Sequence, residues 1–368
     1  MLMTDITSRL YEAGDEYDIV SLLDLIFNGW PHYDLECSPV DHWRWKFLDV
    51  PSSKFDIGLA FHGEKLIGCN HAQHFYIKVG SKIYQGRQGV DFGVHPDYRN
   101  MGASKKIGEV KQPYAMKLGS KINYIVTNNQ ILIDNYARKK RPRFPVDVST
   151  LVKIKDIDLH LQYEPMNYQN VIKTGYKVMS VIQNITQNTT DHEMDSLTCE
   201  KITSFDEKAD VFWDKIQNSY FFIVKRDKKF LNWRYCDIRG GKYGVYICTE
   251  NDEMLGYCIS RVNKYNINYP VGYIVDLLTI PDRPEVSDLL IKKTLEEFND
   301  LNCIKVWGLQ GEPKVDILKN NGFIDSRHTL NLYYQPEVDV NFFGDDISIF
   351  QKSKASEIHF QYGDTDVI

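Results

Sequence analysis

The sequence has no long apolar run, no paired spacing of cysteines and no excess of basic charge. No segment approaches the roughly 20 consecutive apolar residues that a membrane-spanning helix needs, so we expect no membrane partner. The seven cysteines are odd in number and scattered, which predicts a reduced protein without a disulfide framework. The first residues lack the basic start and apolar core of a secretory signal. Together these absences predict a cytoplasmic protein.

The charge balance argues against nucleic acid as a partner. The net charge is −6 over 368 residues, whereas nucleic-acid binding depends on clustered positive charge. One basic run, residues 138–143, stands against this balance. It is read either as a solvated helix end or as a contact for the phosphate of a nucleotide-type cofactor or for an acidic partner. With 43% apolar and 26% charged residues, the chain is predicted to be globular and large enough for two domains.

The most informative segment joins an apolar strand to a helical pattern. Residues 89–94 (G-V-D-F-G-V) read as a buried strand, and His95-Pro96 ends it. Arg99 and Gly102 then precede a helix, whose first main-chain N–H groups and dipole favour an anion. Gly102 lets the backbone approach a phosphate, and Arg99 can donate hydrogen bonds to the same oxygens.

Residues 94–103 (V-H-P-D-Y-R-N-M-G-A) resemble the pyrophosphate-binding signature of the GNAT acetyltransferase superfamily, V-x-P-x-Y-R-x-x-G-x-G/A. The sequence departs from this pattern afterwards, because Ser104 and Lys105 stand where small or apolar residues are usual. The alternative is an ordinary strand-to-helix turn with proline at its corner. The resemblance implies that acetyl-CoA, as co-substrate and without a metal, lies between the strand ending at Val94 and the strand ending near Thr127.

The resemblance also implies individual cofactor contacts. Backbone groups of Phe92 and Val94 would pair with the pantetheine arm, and Asn129 would also touch the cofactor. The residues expected to hold the pyrophosphate are consecutive: Arg99, Asn100, Met101, Gly102, Ala103 and Ser104.

Three residues are candidates for proton transfer. Asn129 and Tyr136 match the family pattern N-x-x-A-x-x-x-Y, although Leu132 replaces the alanine, and Tyr136 would protonate the departing thiolate or simply pack as a helix aromatic. Asp91 is a candidate general base, since alternation places it opposite Phe92, or it is an ordinary hydrogen-bonded strand residue. By resemblance to N-myristoyltransferases, the carboxylate of the last residue, Ile368, is another base. The alternatives for that tail are a strand completing a sheet and a frayed end.

An internal repeat appears at an offset of 188 residues. Trp45 matches Trp233, Gly68 matches Gly256, and the apolar positions between them keep their pattern. We therefore expect an α/β (α+β) fold of two tandem GNAT-like domains, each a mixed, mostly antiparallel twisted sheet flanked by helices. Four segments follow from this reading: an N-terminal catalytic domain (1–158), a connection (159–198), a C-terminal domain with a degenerate cofactor turn (199–340) and a tail (341–368).

The function expected from the resemblance is transfer of an acetyl group from acetyl-CoA to a primary amine of a small molecule or peptide. Two other functions remain open. One is an aminoacyl-tRNA-dependent peptidyltransferase similar to the Fem family, which also pairs two GNAT-like domains. The other is a non-catalytic CoA-binding sensor.

Overall fold

The computed structural model describes residues 6–164, 196–336 and 350–366. These residues form two compact units, each assembled from several stretches of chain. Unit 1 takes in residues 1–144, 237–241 and 332–351, and unit 2 takes in residues 145–236, 242–331 and 352–368. The contiguous domain boundaries expected from the repeat stay a prediction.

Unit 1 is a mixed sheet with helices on both faces. Its strands follow the order β1-β2-β3-β4-β5, antiparallel except for the parallel pair β4 and β5. In chain order the elements are β1 (Ile6–Leu10), α1 (Glu16–Phe27), α2 (Pro39–Phe47), β2 (Phe55–His62), β3 (Lys65–Val79), β4 (Lys82–Val94), α3 (Ala103–Lys117), β5 (Ile122–Thr127) and α4 (Gln130–Arg138).

Apolar side chains alternate along β2 between two cores. Ile57 and Leu59 pack with α1 and α2, where Leu23 and Trp43 are fully buried. Successive strand residues point to opposite faces, so Ala60 packs instead with the α3 side. The sheet therefore holds α1 and α2 on one face and α3 on the other.

Helix α3 lies close against the sheet because β2 carries a glycine beneath it. A Cβ placed on Gly58 would stand 2.8 Å from the Cγ2 of Ile107. Ile107 is itself fully buried. This close packing fixes the height of the first turn of α3 above the end of β4.

Unit 2 repeats the same kind of sheet. Its strands follow the order β7-β9-β10-β11-β12-β6-β13, with β11 and β12 parallel and the other pairs antiparallel. The elements are β6 (Val148–Ile154), α5 (Ile157–Tyr163), β7 (Leu197–Ile202), α6 (Lys208–Ile216), β8 (Phe222–Val224), α7 (Lys228–Leu231), β9 (Gly244–Glu250), β10 (Glu253–Asn263), β11 (Val271–Thr279), α8 (Pro284–Glu296), β12 (Cys303–Leu309), α9 (Pro313–Asn320) and β13 (Ile324–Pro336), whose last residues belong to unit 1.

The expected fold class is confirmed, and one detail is corrected. In each unit an antiparallel hairpin, β2–β3 or β9–β10, lies beside a long strand, β4 or β11. That strand runs parallel to its other neighbour in the sheet, β5 or β12. Sequence patterns predict two strands at 81–86 and 88–94, but these residues form the single strand β4, paired with β3 from Lys82 to Val94. No helix among the described residues is long and apolar enough to cross a membrane.

Candidate active site

The loop between β4 and α3 has a fixed, partly left-handed backbone. A short 3-10 turn, Pro96–Tyr98, follows β4. Asn100 has φ +64°, and Gly102, the N-cap of α3, has φ +87°. A left-handed N-cap is strained for most L-residues, which accounts for glycine at this position.

Five consecutive main-chain N–H groups at this loop have no acceptor among the described residues. The Arg99 N–H bonds to Pro96 O at 3.3 Å, and the Lys105 N–H bonds to Gly102 O at 3.0 Å. Within the described parts of the chain, nothing accepts a hydrogen bond from the N–H groups of residues 100–104. We call residues 99–104 the α3 turn.

The α3 turn is exposed on its outer side and anchored on its inner side. Ala103 is 2% exposed and packs with Ile67 and Ile107 beneath the helix. The other five residues of the turn are exposed, and Arg99 keeps its guanidinium beside Val94 O, at 3.4 Å from Nε. The N–H groups therefore sit at the positive end of a 15-residue helix dipole, open to solvent.

Strands β4 and β5 separate next to this turn. They pair only from Gly86 with Ile122 to Gln88 with Tyr124, although β4 continues to Val94. The gap between the strand ends lies where the pantetheine arm is expected. Phe92 is 48% exposed there, and Val94 is half-buried and packs toward α3.

Asp91 lies at a bulge in β4 and has both carboxylate oxygens engaged. Its φ is +44°, and the pairing between β3 and β4 shifts register at this point. The Trp30 indole N–H donates to Oδ1 at 3.0 Å, and Lys46 Nζ lies 2.7 Å from Oδ2. These contacts occupy both carboxylate oxygens, and they favour a structural role for Asp91 over that of a general base.

His71 holds the backbone of this bulge. Its Nδ1 donates to Asp91 O at 2.9 Å, so its Nε2 is the acceptor for the Trp43 indole N–H at 3.1 Å. Burial lowers the pKa of His71 to about 3, and the ring is therefore neutral. His74, three residues further along β3, faces the opposite side of the sheet and bonds to Asp56.

Helix α4 gives Asn129 and Tyr136 local partners. Asn129 is the N-cap, since its side chain accepts from the N–H groups of Ile131 and Leu132 at 3.0 and 3.3 Å. Tyr136 is 8% exposed and lies edge-on to Tyr333, with ring centroids 5.1 Å apart. Burial raises the pKa of the Tyr136 hydroxyl, which no described residue hydrogen-bonds.

The basic run after α4 divides into packed and exposed members. Arg141 lies over the Tyr136 ring, 4.4 Å from its centroid, and bonds to the side chain of Gln335. Arg138, Lys139 and Lys140 are exposed at the helix end. Ile368, the third candidate for proton transfer, lies outside the described residues.

A buried charge cluster beneath α3 is absent from the sequence prediction. Asp56 of β2 is fully buried and lies 2.7 Å from Arg87 Nη1 and 2.9 Å from Lys111 Nζ. Lys111 also donates to Asn70 at 2.7 Å. Burial alone would raise the pKa of Asp56, but Lys111, His74 and Arg87 together lower it to about 2. The sequence carries one signal for this cluster, because Asp56 in β2 and Arg87 in β4 are charged residues at positions of the strands that face inward.

Among the described residues, no group of three or more His, Cys, Asp or Glu side chains could hold a metal ion. The candidate site comprises the α3 turn and the gap between β4 and β5, and Tyr136 is its candidate proton donor.

Several solved structures share the overall fold of this chain. No family profile and no curated protein matches the sequence. Among solved structures, a conserved protein of unknown function from Enterococcus faecalis, named a probable N-acyltransferase, has a TM-score of 0.63 at 11% identity, over 93% of this chain and 75% of that one. N-myristoyltransferase from Saccharomyces cerevisiae, solved with myristoyl-CoA, has a TM-score of 0.59 at 11% identity, over 91% and 81%. A GCN5-related N-acetyltransferase from Anabaena variabilis has a TM-score of 0.58 at 10% identity, over 91% and 73%. The chain therefore has the GNAT fold.

Proposed function

We propose that this protein is an N-acetyltransferase that moves an acetyl group from acetyl-CoA to a primary amine of a small molecule or a peptide. The observation that carries the proposal is the run of unpartnered N–H groups at residues 100–104, beside the gap between β4 and β5. A diphosphate can accept hydrogen bonds from such N–H groups. The gap leaves the edge of β4 free to pair with an arm that contains amides.

The electrostatics of the α3 turn suit a pyrophosphate. Arg99, Lys105 and Lys106 are exposed around the N-terminus of α3, where the helix dipole also favours negative charge. Guanidinium-to-phosphate hydrogen bonds are among the stronger ones in proteins. The phosphates would be held mainly by the backbone, so an acidic side chain in place of Gly102 would repel them directly.

The chemical step joins the amine nitrogen to the thioester carbonyl carbon and breaks the carbon–sulfur bond. The leaving thiolate takes a proton, and the attacking amine loses one. We assign Tyr136 as the donor to the thiolate, because its hydroxyl is protonated at neutral pH and no described residue hydrogen-bonds it; the burial that raises its pKa makes it a weaker acid. Asp91 and the carboxylate of Ile368 stay the two proposed proton acceptors, and the contacts of Asp91 with Trp30 and Lys46 weigh against it.

Isothermal titration calorimetry with acetyl-CoA tests the proposal. We expect one site per chain in the parent protein and a loss of about 100-fold in affinity for Gly102→Glu, which adds like charge and backbone strain. Two variants serve as controls. Gly108→Glu adds the same charge farther along α3, where a Cβ meets open space, and Gly102→Asn keeps a residue that tolerates positive φ.

Both controls should bind acetyl-CoA within a few-fold of the parent. Equal binding by the parent and Gly102→Glu would show that the α3 turn is not the cofactor site. Titration with myristoyl-CoA, the ligand of the yeast neighbour, gives the preferred acyl length. A free-thiol assay over a panel of amines then identifies the acceptor.

The same experiments separate the alternative functions. Tight binding of aminoacyl-tRNA without heat from acetyl-CoA would indicate a peptidyltransferase. A sensor would bind acetyl-CoA but release no free CoA thiol in the presence of any amine. Tyr136→Phe would leave its binding of acetyl-CoA unaltered.

A further inference from the structure

Unit 2 contains a second gap between parallel strands. Strands β11 and β12 pair only from Val271 with Cys303 to Ile274 with Val306. Beyond these pairs β11 continues to Thr279. The gap corresponds to the one between β4 and β5, since Gly256 pairs with Thr279 as its repeat counterpart Gly68 pairs with Val94.

The helix after this second gap begins without an anion site. Arg283 precedes α8 and contacts Glu285 in its first turn. The guanidinium also lies 3.0 Å from Glu250. The acidic Glu285 at the helix start and the paired arginine leave no counterpart of the α3 turn.

The C-terminal segment of unit 2, residues 352–366, occupies the gap through Gln361 and Tyr362. The side-chain oxygen of Gln361 accepts a hydrogen bond from the Leu277 N–H at 2.7 Å. Tyr362 stacks on Trp307 of β12, with centroids 4.0 Å apart, and lies edge-on to Tyr273 of β11 at 5.4 Å. The segment thus contacts both strands where they stop pairing with each other.

A buried ionic network fixes the same segment from its other side. Arg226 is fully buried and bridges two carboxylates, 2.9 Å from Asp276 of β11 and 2.6 Å from Asp364 of the segment. His359 Nε2 lies 2.9 Å from the other oxygen of Asp276. The hydroxyl of Tyr235 donates to Asp276 at 2.8 Å. Residues 358–365 are all buried.

We propose that the gap between β11 and β12 is a peptide-binding site whose ligand is residues 358–365 of the chain itself. The main-chain N–H of Leu277 lies two residues before the end of its strand, as that of Phe92 does in β4. Under the proposed function, Phe92 pairs with the pantetheine arm of the cofactor, and the comparison between the two gaps rests on that function. The amide of Gln361 then takes the place that a pantetheine amide would take in unit 1.

The occupied gap has a direct consequence for stoichiometry. With a peptide bound between the strands and no anion turn at α8, unit 2 cannot accept acyl-CoA. Each chain should therefore bind one acyl-CoA at most, and a second equivalent site in the parent protein would overturn the inference.

Hydrogen–deuterium exchange of the full chain tests the binding of the segment. Gln361→Ala removes the acceptor of the Leu277 N–H, and a Cβ added in Gly363→Ala would overlap the Tyr235 hydroxyl. We expect exchange in residues 352–366 and in β11 to rise together, by about tenfold or more. Ser356→Ala, at an exposed position of the same segment, is the matched control and should exchange like the parent.

A synthetic peptide of residues 356–366 tests the site itself, by fluorescence polarisation with a scrambled peptide as control. The parent should not bind it, because the gap is filled, whereas both Gly363→Ala and Gln361→Ala should. Gln361→Ala is the milder change and serves if Gly363→Ala fails to fold. Unchanged exchange in both variants, or faster exchange without peptide binding, refutes the proposal. Neither readout involves acyl-CoA, so its outcome is independent of the Gly102 experiment.

Discussion

Replacing Asp56 by asparagine should destabilise unit 1 strongly while preserving the shape of the side chain. Asp56 is fully buried and faces two cations, Arg87 and Lys111, each within 3.0 Å of a carboxylate oxygen (2.7 and 2.9 Å). Asparagine removes the negative charge that both buried cations face. Removing one partner of a buried ion pair typically costs about 3–5 kcal/mol, and we expect Asp56→Asn to fall in this range.

The cost should depend on pH in a defined direction. The pKa of Asp56 falls from 3.8 to about 2 on folding, which corresponds to about 2.4 kcal/mol. Because the folded-state pKa is the lower one, this stability is complete above the unfolded pKa of about 4 and is lost as pH falls toward about 2. The difference in unfolding free energy between the parent and Asp56→Asn should therefore be constant near neutrality and shrink by about 2 kcal/mol below pH 4.

Urea denaturation followed by tryptophan fluorescence between pH 7 and acid measures both effects. Asp18→Asn changes an exposed carboxylate of α1 and should alter the unfolding free energy by no more than about 0.5 kcal/mol. Lys111→Met should cost less than Asp56→Asn, since Asp56 keeps Arg87. A cost for Asp56→Asn equal to that of Asp18→Asn, or one that persists unchanged in acid, would refute the reasoning.

The remaining predictions concern the site and its support. Tyr136→Phe should lower kcat by about 100-fold or more with little change in the KM for acetyl-CoA, as steady-state kinetics would show; an unchanged kcat would exclude it as the proton donor. Asp91→Asn should lower the melting temperature clearly and change kcat/KM little, because it removes the carboxylate charge that the buried Lys46 faces, and a large loss of kcat at normal stability would instead make it the base. Gly58→Val should destabilise the protein by about 1–3 kcal/mol through overlap with Ile107, read from the urea midpoint; no shift would contradict the close packing of α3.

The sequence predicts most of unit 1 because its signals are local. The apolar spacing of α1, the hairpin before residue 68 and the strand-to-helix turn at Gly102 all depend on neighbouring residues. The error in β4 has a physical cause. The sequence pattern predicts a break at Arg87, between strands 81–86 and 88–94, yet Arg87 and Gln88 are buried within the single strand β4. Their partners, such as Asp56, are distant in sequence.

The candidate site shows where local motifs stop being informative. An asparagine before a helix fits both a cofactor contact and an N-cap, and the structure shows Asn129 capping α4. Asp91, at the bulge, has φ +44°, and no residue pattern in the sequence predicts a positive φ for a residue other than glycine. The burial of the C-terminal segment depends on Asp276 and Arg226, whose pairing brings together residues far apart in the chain.

The repeat supplies an internal comparison for the role of Asp91. Counted back from the matched strand ends Val94 and Thr279, Asp91 and Asp276 occupy the same place, and the pairing shifts register near both. Each carboxylate is tied to a buried cation, Lys46 or Arg226. Unit 2 lacks an anion turn at α8, so cofactor chemistry cannot account for an aspartate there. The shared feature is a carboxylate that ties a bulged central strand to a buried cation, and it favours a structural role for Asp91 over that of a proton acceptor. If Asp91→Asn keeps its kcat, the proton acceptor must come from a residue outside β4.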